Sequence, residues 1–453
     1  MGIVCRFYIK NKNDVVAVLK VNHFSKYKGF LQDIVRHTLI TCYNITSLAK
    51  TNTGMLTNRN ILCISGTEWH GNYIKAVVEL MKVLSATNKI LFVENAYTYK
   101  DAIAGVNNKN KVDYVQALGL KTRISAIHPE TGGSVYILTP PLVFPVSFLP
   151  PGRIYDAMLN YNGWILRRTI RKALKQLDMN HDLINFVSFN PGMGVQTGRR
   201  FNEKTLIYHC YDEIKGAAYW LSKHGVRLED TFMKMVDAVI VTSKGLYHSK
   251  CAAADRCYIV NNAVKASLFR QGFNPEVDPQ QKNIGYVGSV DDRLDLDILT
   301  YLFKNMPDTT FTFVGRILSE RSETELKKHK NVKLEGAKAP ELLPAYSRQF
   351  SAGIIPFIKD EFTKGIYPMK INEYLAAGLP VVSTDFSDLS DFEGVIKITD
   401  NKETFLQCLL DEINYDSTEK RQSRLEIAEG NTWGKRAEEL SDVIEKVEME
   451  LAG

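Results

Sequence analysis

Residues 366–384, IYPMKINEYLAAGLPVVST, put a short amphipathic helix directly in front of a buried strand. Pro368 suits the first turn of that helix, where a missing N–H is not needed. The helix should run to Ala377 and stop at Gly378. Its first turn offers free N–H groups and the positive end of the helix dipole, which together form a phosphate site. Lys370 in that turn opposes the dipole unless an anion sits beside it. Glu373, three residues on, shares its face. A carboxylate there can accept hydrogen bonds from two ribose hydroxyls, so the pair suits a nucleoside diphosphate. The plainer alternative is a surface Lys–Glu pair on an ordinary helix.

Outward from this segment, short apolar runs alternate with longer amphipathic stretches. NIGYVG, TFTFVG, NVKLEG, AGIIPF, PVVST and VIKIT read as strands of one unit, with DLDILTYLFKNM, ELLPAYSRQF and KETFLQCLLDEI among the helices between them. An earlier series holds ILCIS (61–65), KILFVEN (89–95), SVYILTP, LINFVSF, TLIYHC and AVIVTS (238–243). Strands this uniformly apolar, separated by helices, predict parallel sheets covered on both faces. The expected architecture is α/β, with two doubly wound Rossmann-like domains facing a cleft. The polar stretch between Phe269 and Lys282 reads as the linker. The expected boundaries are an N-terminal extension over 1–56, a first domain over 57–268 and a second over 269–431. A C-terminal helix near 432–453 should pack back on the first. Ligands of open parallel sheets bind at the carboxyl ends of the strands.

The 453 residues carry a net charge of +6, with 24% charged and 45% hydrophobic residues. That balance allows an anionic ligand or surface. No basic block interleaved with aromatics points to nucleic acid. The seven cysteines show no C-x-x-C spacing, and reduced thiols in a cytosolic setting are expected. The most apolar run, 134–151, is broken by five prolines and reads as a strand and extended loop rather than a membrane span. Residues 1–54 hold VVAVLKV and a possible helix near 30–40, with no signal-peptide pattern. The functional chain is expected to start near Met55, a true N-terminal arm being the alternative.

The 366–384 segment resembles the donor-binding signature of retaining family 4 glycosyltransferases, which have the GT-B fold, and especially those of bacterial cell-surface polysaccharide synthesis. NIGYVGSVDDRLDLDILTYL, PDTTFTFVGRI and ELLPAYSRQFSAGIIPF resemble the preceding parts of their C-terminal domain, and KMVDAVIVTSKGLYHSK with CYIVNNAV the end of their N-terminal domain. The likeness implies that Glu373 holds the donor ribose, that Lys370 and Arg293 contact the diphosphate, and that the Gly288–Ser289 turn approaches the phosphates, with Pro368 opening the helix. Two positions depart from the pattern. Gly365 stands where many relatives carry Glu, and Ser289 where many carry Arg. Arg316 either compensates or plays a structural part.

On the acceptor side, LIYHCYDEIKG (206–216) ends a strand with His209, Asp212 and Glu213. His209 or Asp212 is expected to position an acceptor hydroxyl or steady the reacting sugar, with a capped turn as the plain alternative. His70, in EWHGNY, is a weaker candidate of the same kind. Catalysis is assigned to His209, Asp212 and Lys370. No metal and no cofactor are expected, because Lys370, Arg293 and the helix N-terminus can stabilise a leaving diphosphate. WILRRTIRKALKQL (164–177) is a basic amphipathic helix that can rest on an anionic membrane or simply present a solvated face. The expected activity is transfer of a sugar from a nucleotide-sugar donor to a glycan or lipid-linked acceptor, in the cytoplasm or at the inner face of the plasma membrane. A nucleotide-sugar 2-epimerase of the same fold and a non-catalytic sugar-nucleotide-binding partner are the competing readings.

Overall fold

Apolar strands such as ILCIS need cover on both faces, and a computed structural model, describing residues 6–11, 14–18, 54–71, 73–107, 114–216, 219–276 and 282–453, gives it to them. Met1–Thr53 is one compact unit and Gly54–Gly453 another. In the first, β1 (Arg6–Asn11) and β2 (Asp14–Val18) pair antiparallel. The helix expected near residues 30–40 lies outside the described residues.

The second unit opens with β3 (Asn60–Ser65), β4 (Lys89–Val93), β5 (Ile124–Ile127), β6 (Val135–Leu138), β7 (Leu183–Ser188), β8 (Thr205–Cys210), β9 (Ala238–Val241) and β10 (Cys257–Ile259). They form one sheet in the order β10-β9-β8-β7-β3-β4-β6-β5. All neighbours are parallel except β5, which runs against β6. Alternation along each strand divides the side chains between two cores. Ile61 and Cys63 of β3 face one, with Met81 of the helix Ala76–Leu84. Leu62 and Ile64 face the other, with Leu166 and Ile170 of the helix Arg153–Gln176.

A second sheet follows, built from β11 (Asn283–Val287), β12 (Thr310–Val314), β13 (Val332–Gly336), β14 (Ala352–Ile355), β15 (Val381–Ser383) and β16 (Lys397–Ile398). Its order is β13-β12-β11-β14-β15-β16, parallel throughout. The switch in strand order falls between β11 and β14, and a doubly wound sheet places its ligand site outside the strand ends at that point. Val264, Ala266, Leu268 and Phe269 already pack into this second core. The chain therefore changes cores a few residues before the expected boundary at 268, because the helix Ala266–Phe269 docks on the helix Met369–Ala376.

The last helix, Trp433–Ala452, lies against the first domain, with Trp433, Ala437, Leu440, Ile444 and Val447 in the core that holds Ile61. Its Glu448 bridges Arg59 and Lys204 and accepts a hydrogen bond from Thr205.

One cysteine expectation is corrected. The helical turn Cys251–Ala253 and the strand β10 bring the Cα atoms of Cys251 and Cys257 to 5.3 Å, and the two are joined as a disulfide. A spacing of six residues hid this pair from a search for C-x-x-C. Cys63 and Cys210 are buried thiols.

Candidate functional site

The helix Met369–Ala376 begins at Pro368, which occupies the cap position with extended backbone, and ends before Gly378 at φ +76°. That left-handed residue lets the Leu379 N–H reach back to the Tyr374 carbonyl at 3.0 Å, closing the helix. Ile371, Tyr374 and Leu375 bury the opposite face. Lys370 and Glu373 are thereby turned toward the cleft, where both are half-buried. The Tyr374 hydroxyl accepts the Val287 N–H at 2.7 Å and ties the helix to the end of β11.

Lys370 lies along the turn that follows β11. A Cβ on Gly288 would stand 2.2 Å from Lys370 Cε, and Gly288 has φ +152°. Any side chain there would displace the lysine, so this glycine makes room for Lys370. Beneath the lysine is an aromatic floor. Lys370 Nζ lies 5.4 Å from the Phe357 ring centre and 5.9 Å from that of Tyr286, and Arg293 Cζ lies 5.0 Å from Phe357. Cations over ring faces are attracted by the ring quadrupole. Asp291 grips the Arg293 guanidinium with bonds of 2.9 and 2.6 Å.

Lys370 and Arg293 thus stand near one another in a half-buried setting, an arrangement that can take an anion. Burial, with the Arg293 charge, lowers the Lys370 ammonium to about 8. Burial raises the Glu373 carboxyl to about 7, against the pull of Lys370. Burial also opposes the Arg293 charge, but Asp291 more than offsets it and holds Arg293 above its ordinary range.

The facing wall comes from the first domain. A cavity of about 360 Å³ is lined by Tyr73, Tyr211, Asp212 and Asn262 on that side and by Pro368 and Lys370 on the other. Asp212 follows β8, and burial raises its carboxyl to about 7, opposed by Arg293 across the cleft. The Oδ1 atom of Asn262 is buried without a hydrogen-bond partner among the described residues. Arg316, after β12, reaches over the Tyr73 ring at 5.1 Å, joining the two domains. His70 is exposed and lines a neighbouring cavity of about 230 Å³, where its carbonyl accepts a 2.6 Å bond from Lys75. Ser289 offers its carbonyl to the Tyr286 hydroxyl at 2.8 Å.

Two expected acceptor-side residues are placed elsewhere. His209 is 1% exposed, within β8, bonded to the Ser188 hydroxyl at 3.0 Å, and burial lowers its imidazole to about 4. Its ring packs beside Phe186 at 5.2 Å and Tyr211 at 5.7 Å. Glu213 is buried with Lys250 at 2.6 Å, and Lys250 also meets Glu229 at 2.7 Å. Burial alone would raise the Glu213 carboxyl, and Lys250 more than reverses this. It is a structural carboxylate.

Gly365 is closed off by the first domain. Its carbonyl accepts the Ser243 hydroxyl at 2.7 Å, and a Cβ would stand 3.2 Å from Glu213 Cβ and 3.3 Å from Leu246. A side chain at this position would press on Glu213 and Leu246, which would have to give by a few tenths of an ångström. Sequence reasoning missed Phe357, Tyr286, Tyr211 and Asn262. Phe357, Tyr211 and Asn262 follow strands and Tyr286 stands near the carboxyl end of β11, and that position was the available signal. Among the described residues, no group of three His, Cys, Asp or Glu is arranged to hold a metal ion, and no helix is long and apolar enough to cross a membrane.

Residues 281–411, the second domain with this site, match the family described as Glycosyl transferases group 1, the kind of family that the 366–384 segment resembles. A Bacillus subtilis (strain 168) protein, TuaH, described as a candidate teichuronic acid biosynthesis glycosyltransferase, is 26% identical over 207 residues, which is 42% of this chain and 52% of that protein. The chain thus spans about half the length of this relative. The GT-B fold is shared with solved structures. Sucrose-phosphate synthase of Thermosynechococcus elongatus superposes with a TM-score of 0.63 at 14% identity, over 87% of this chain and 100% of that one. The α,α-trehalose 6-phosphate synthase of Burkholderia multivorans gives 0.59 at 10% identity, over 88% and 99%.

Proposed function

We propose that this chain, whose second domain matches the group 1 glycosyl transferases, moves a sugar from a nucleoside diphosphate sugar to a glycan or lipid-linked acceptor of a cell-surface polysaccharide. The observation that carries the reading is the cleft wall at Pro368. There Lys370 and Arg293 lie side by side over Phe357, and Glu373 stands on the same helix face. Two cations and a helix N-terminus hold the diphosphate. Glu373 accepts the ribose hydroxyls. As the glycosidic bond breaks, charge grows on the leaving diphosphate, and this fixed positive wall stabilises it without reorganising.

Asp212, facing Arg293 with a carboxyl near neutrality, orients the acceptor hydroxyl and takes its proton. Because Gly365 carries no carboxylate, the sugar ring rests against Tyr211, Asp212 and Asn262 rather than on the glutamate that the resembled family carries there. Transfer with retention of configuration and without a metal fits the two-cation wall. The setting proposed is the cytoplasm, at the inner face of the membrane where a lipid-linked acceptor waits.

A thermal-shift screen across UDP-, GDP-, ADP- and dTDP-glucose tests the site first. One of them should stabilise the protein, with Lys370→Ala and Glu373→Ala each abolishing the shift. No shift with any donor would refute the reading. Sugar transfer to a membrane extract after chelator treatment tests metal independence. Conversion of the donor sugar without acceptor would mark an epimerase instead.

A further inference from the structure

The helix Arg153–Gln176 buries one face, with Leu166, Ile170, Ala173 and Leu174 in the core. Its opposite column leaves Ile154, Tyr161 and Trp164 in solvent, followed at helical spacing by Arg168, Lys172 and Lys175. The apolar and cationic halves of one exposed face are thus separated along the helix.

The apolar half does not stand alone. Tyr99 meets Phe144 at 5.2 Å, Phe144 meets Tyr161 at 5.8 Å, and Tyr161 stacks on Trp164 at 5.9 Å. Three separate segments therefore supply one continuous aromatic row. Phe148 and Ile154 stand beyond it at 67% and 71% exposure. Arg168 lies over Trp164 at 5.8 Å and joins the row to the cations. There, a cavity of about 370 Å³ opens between the helix and the 119–124 segment. Its lining holds Lys121, Arg123, Arg168 and Lys172 and, among the described residues, no carboxylate. Arg123 is aimed by bonds to the Gln116 and Ala117 carbonyls, at 3.1 and 2.6 Å.

We propose that this face docks on a bilayer containing anionic phospholipid, with the row from Tyr99 to Trp164 at headgroup depth and the recess of Lys121, Arg123, Arg168 and Lys172 holding one anionic headgroup. Aromatic rings with wet edges belong at that depth, and arginine and lysine stems lie along apolar surface while their heads reach the phosphates. A soluble polyanion would account for the recess but not for Phe148 and Ile154 standing in water. The proposal deepens the lipid-linked acceptor reading given above, yet its test involves no sugar transfer.

Flotation of the full chain compares vesicles of phosphatidylcholine alone with vesicles of equal parts phosphatidylcholine and phosphatidylglycerol. Partitioning should need the phosphatidylglycerol. Each cation at an anionic surface is worth about fivefold, so Arg168→Ala with Lys172→Ala should weaken it about 25-fold. Phe148→Ser with Trp164→Ser should weaken it at least about tenfold. Nucleotide-sugar binding, measured by calorimetry on the same variants, should not change, which separates failure of the docking from failure of the donor site. Four results would overturn the proposal: no flotation, equal flotation with both vesicles, unaffected variants, or binding of inorganic polyphosphate without any binding of vesicles.

Discussion

Raising the pH from about 7 to about 9 should weaken donor binding roughly tenfold, through Lys370 alone. The free protein holds this ammonium at about 8, because burial and the Arg293 charge both disfavour it. A diphosphate beside Nζ restores the opposite charge and returns the group toward its ordinary range, so binding above about pH 8 takes up one proton. The sign follows directly. The depressed group is charged below about 8 and neutral above it, hence the Lys370 contribution to affinity is complete on the acid side and falls by a factor of about ten per pH unit beyond the free-protein value, about 1.4 kcal/mol each. A nucleotide sugar is the right probe, since its doubly esterified diphosphate keeps its charge across this range. Isothermal titration calorimetry in buffers of different ionisation enthalpy reads both the affinity and the proton uptake. Lys370→Arg keeps the charge throughout and should lose the alkaline limb. Lys370→Met should bind more weakly at every pH, by about 10- to 100-fold, and also lose the limb. A flat wild-type profile to about pH 9, or a limb that survives in Lys370→Met, would refute the role of Lys370.

The acid side should belong to Glu373, whose carboxyl is raised to about 7. Wild-type affinity should fall below that value as the carboxyl protonates, and Glu373→Gln should bind about tenfold more weakly near neutrality with no acid limb, by the same calorimetry. Gly288→Ala, which forces an alanine to φ +152° and pushes Lys370 aside, should cost roughly 1–3 kcal/mol in urea melts and most of the donor affinity. Glu213→Ala removes one of the two carboxylates on buried Lys250, which keeps Glu229, and should cost about 1–3 kcal/mol of stability, while leaving the KM for acceptor unchanged. Trp433→Ala should cost about 3–5 kcal/mol by the same melts, because the last helix holds on to the first domain through that buried ring.

The Glu213 and His209 cases show where reading a sequence stops. Both follow or end an apolar strand, the place where cleft residues are expected, and both turn inward. The rule that polar groups at strand ends face the cleft selects the segment and not the side chain. Asp212, between them in the same turn, is the residue that reaches the cavity. Gly365 shows the converse. Its departure from the family pattern was legible as a bare substitution, and only the structure shows Ser243, Glu213 and Leu246 packed against it, which would have to give for a larger side chain.

The sequence by itself determined the two alternating series of strands and helices, the helix that starts after Pro368, and the common face of Lys370 and Glu373. These features rest on spacings of two, three or four residues, and local backbone geometry translates such spacings directly into faces. Only the tertiary structure decided that Lys370 and Arg293 share the ring of Phe357, that Asp212 faces Arg293 from the other domain, and that Cys251 meets Cys257. It alone showed one aromatic row gathered from three segments beside a cationic recess. Each of these is a meeting of groups brought together by packing and loop paths, and no periodicity along the chain encodes which distant segments will touch.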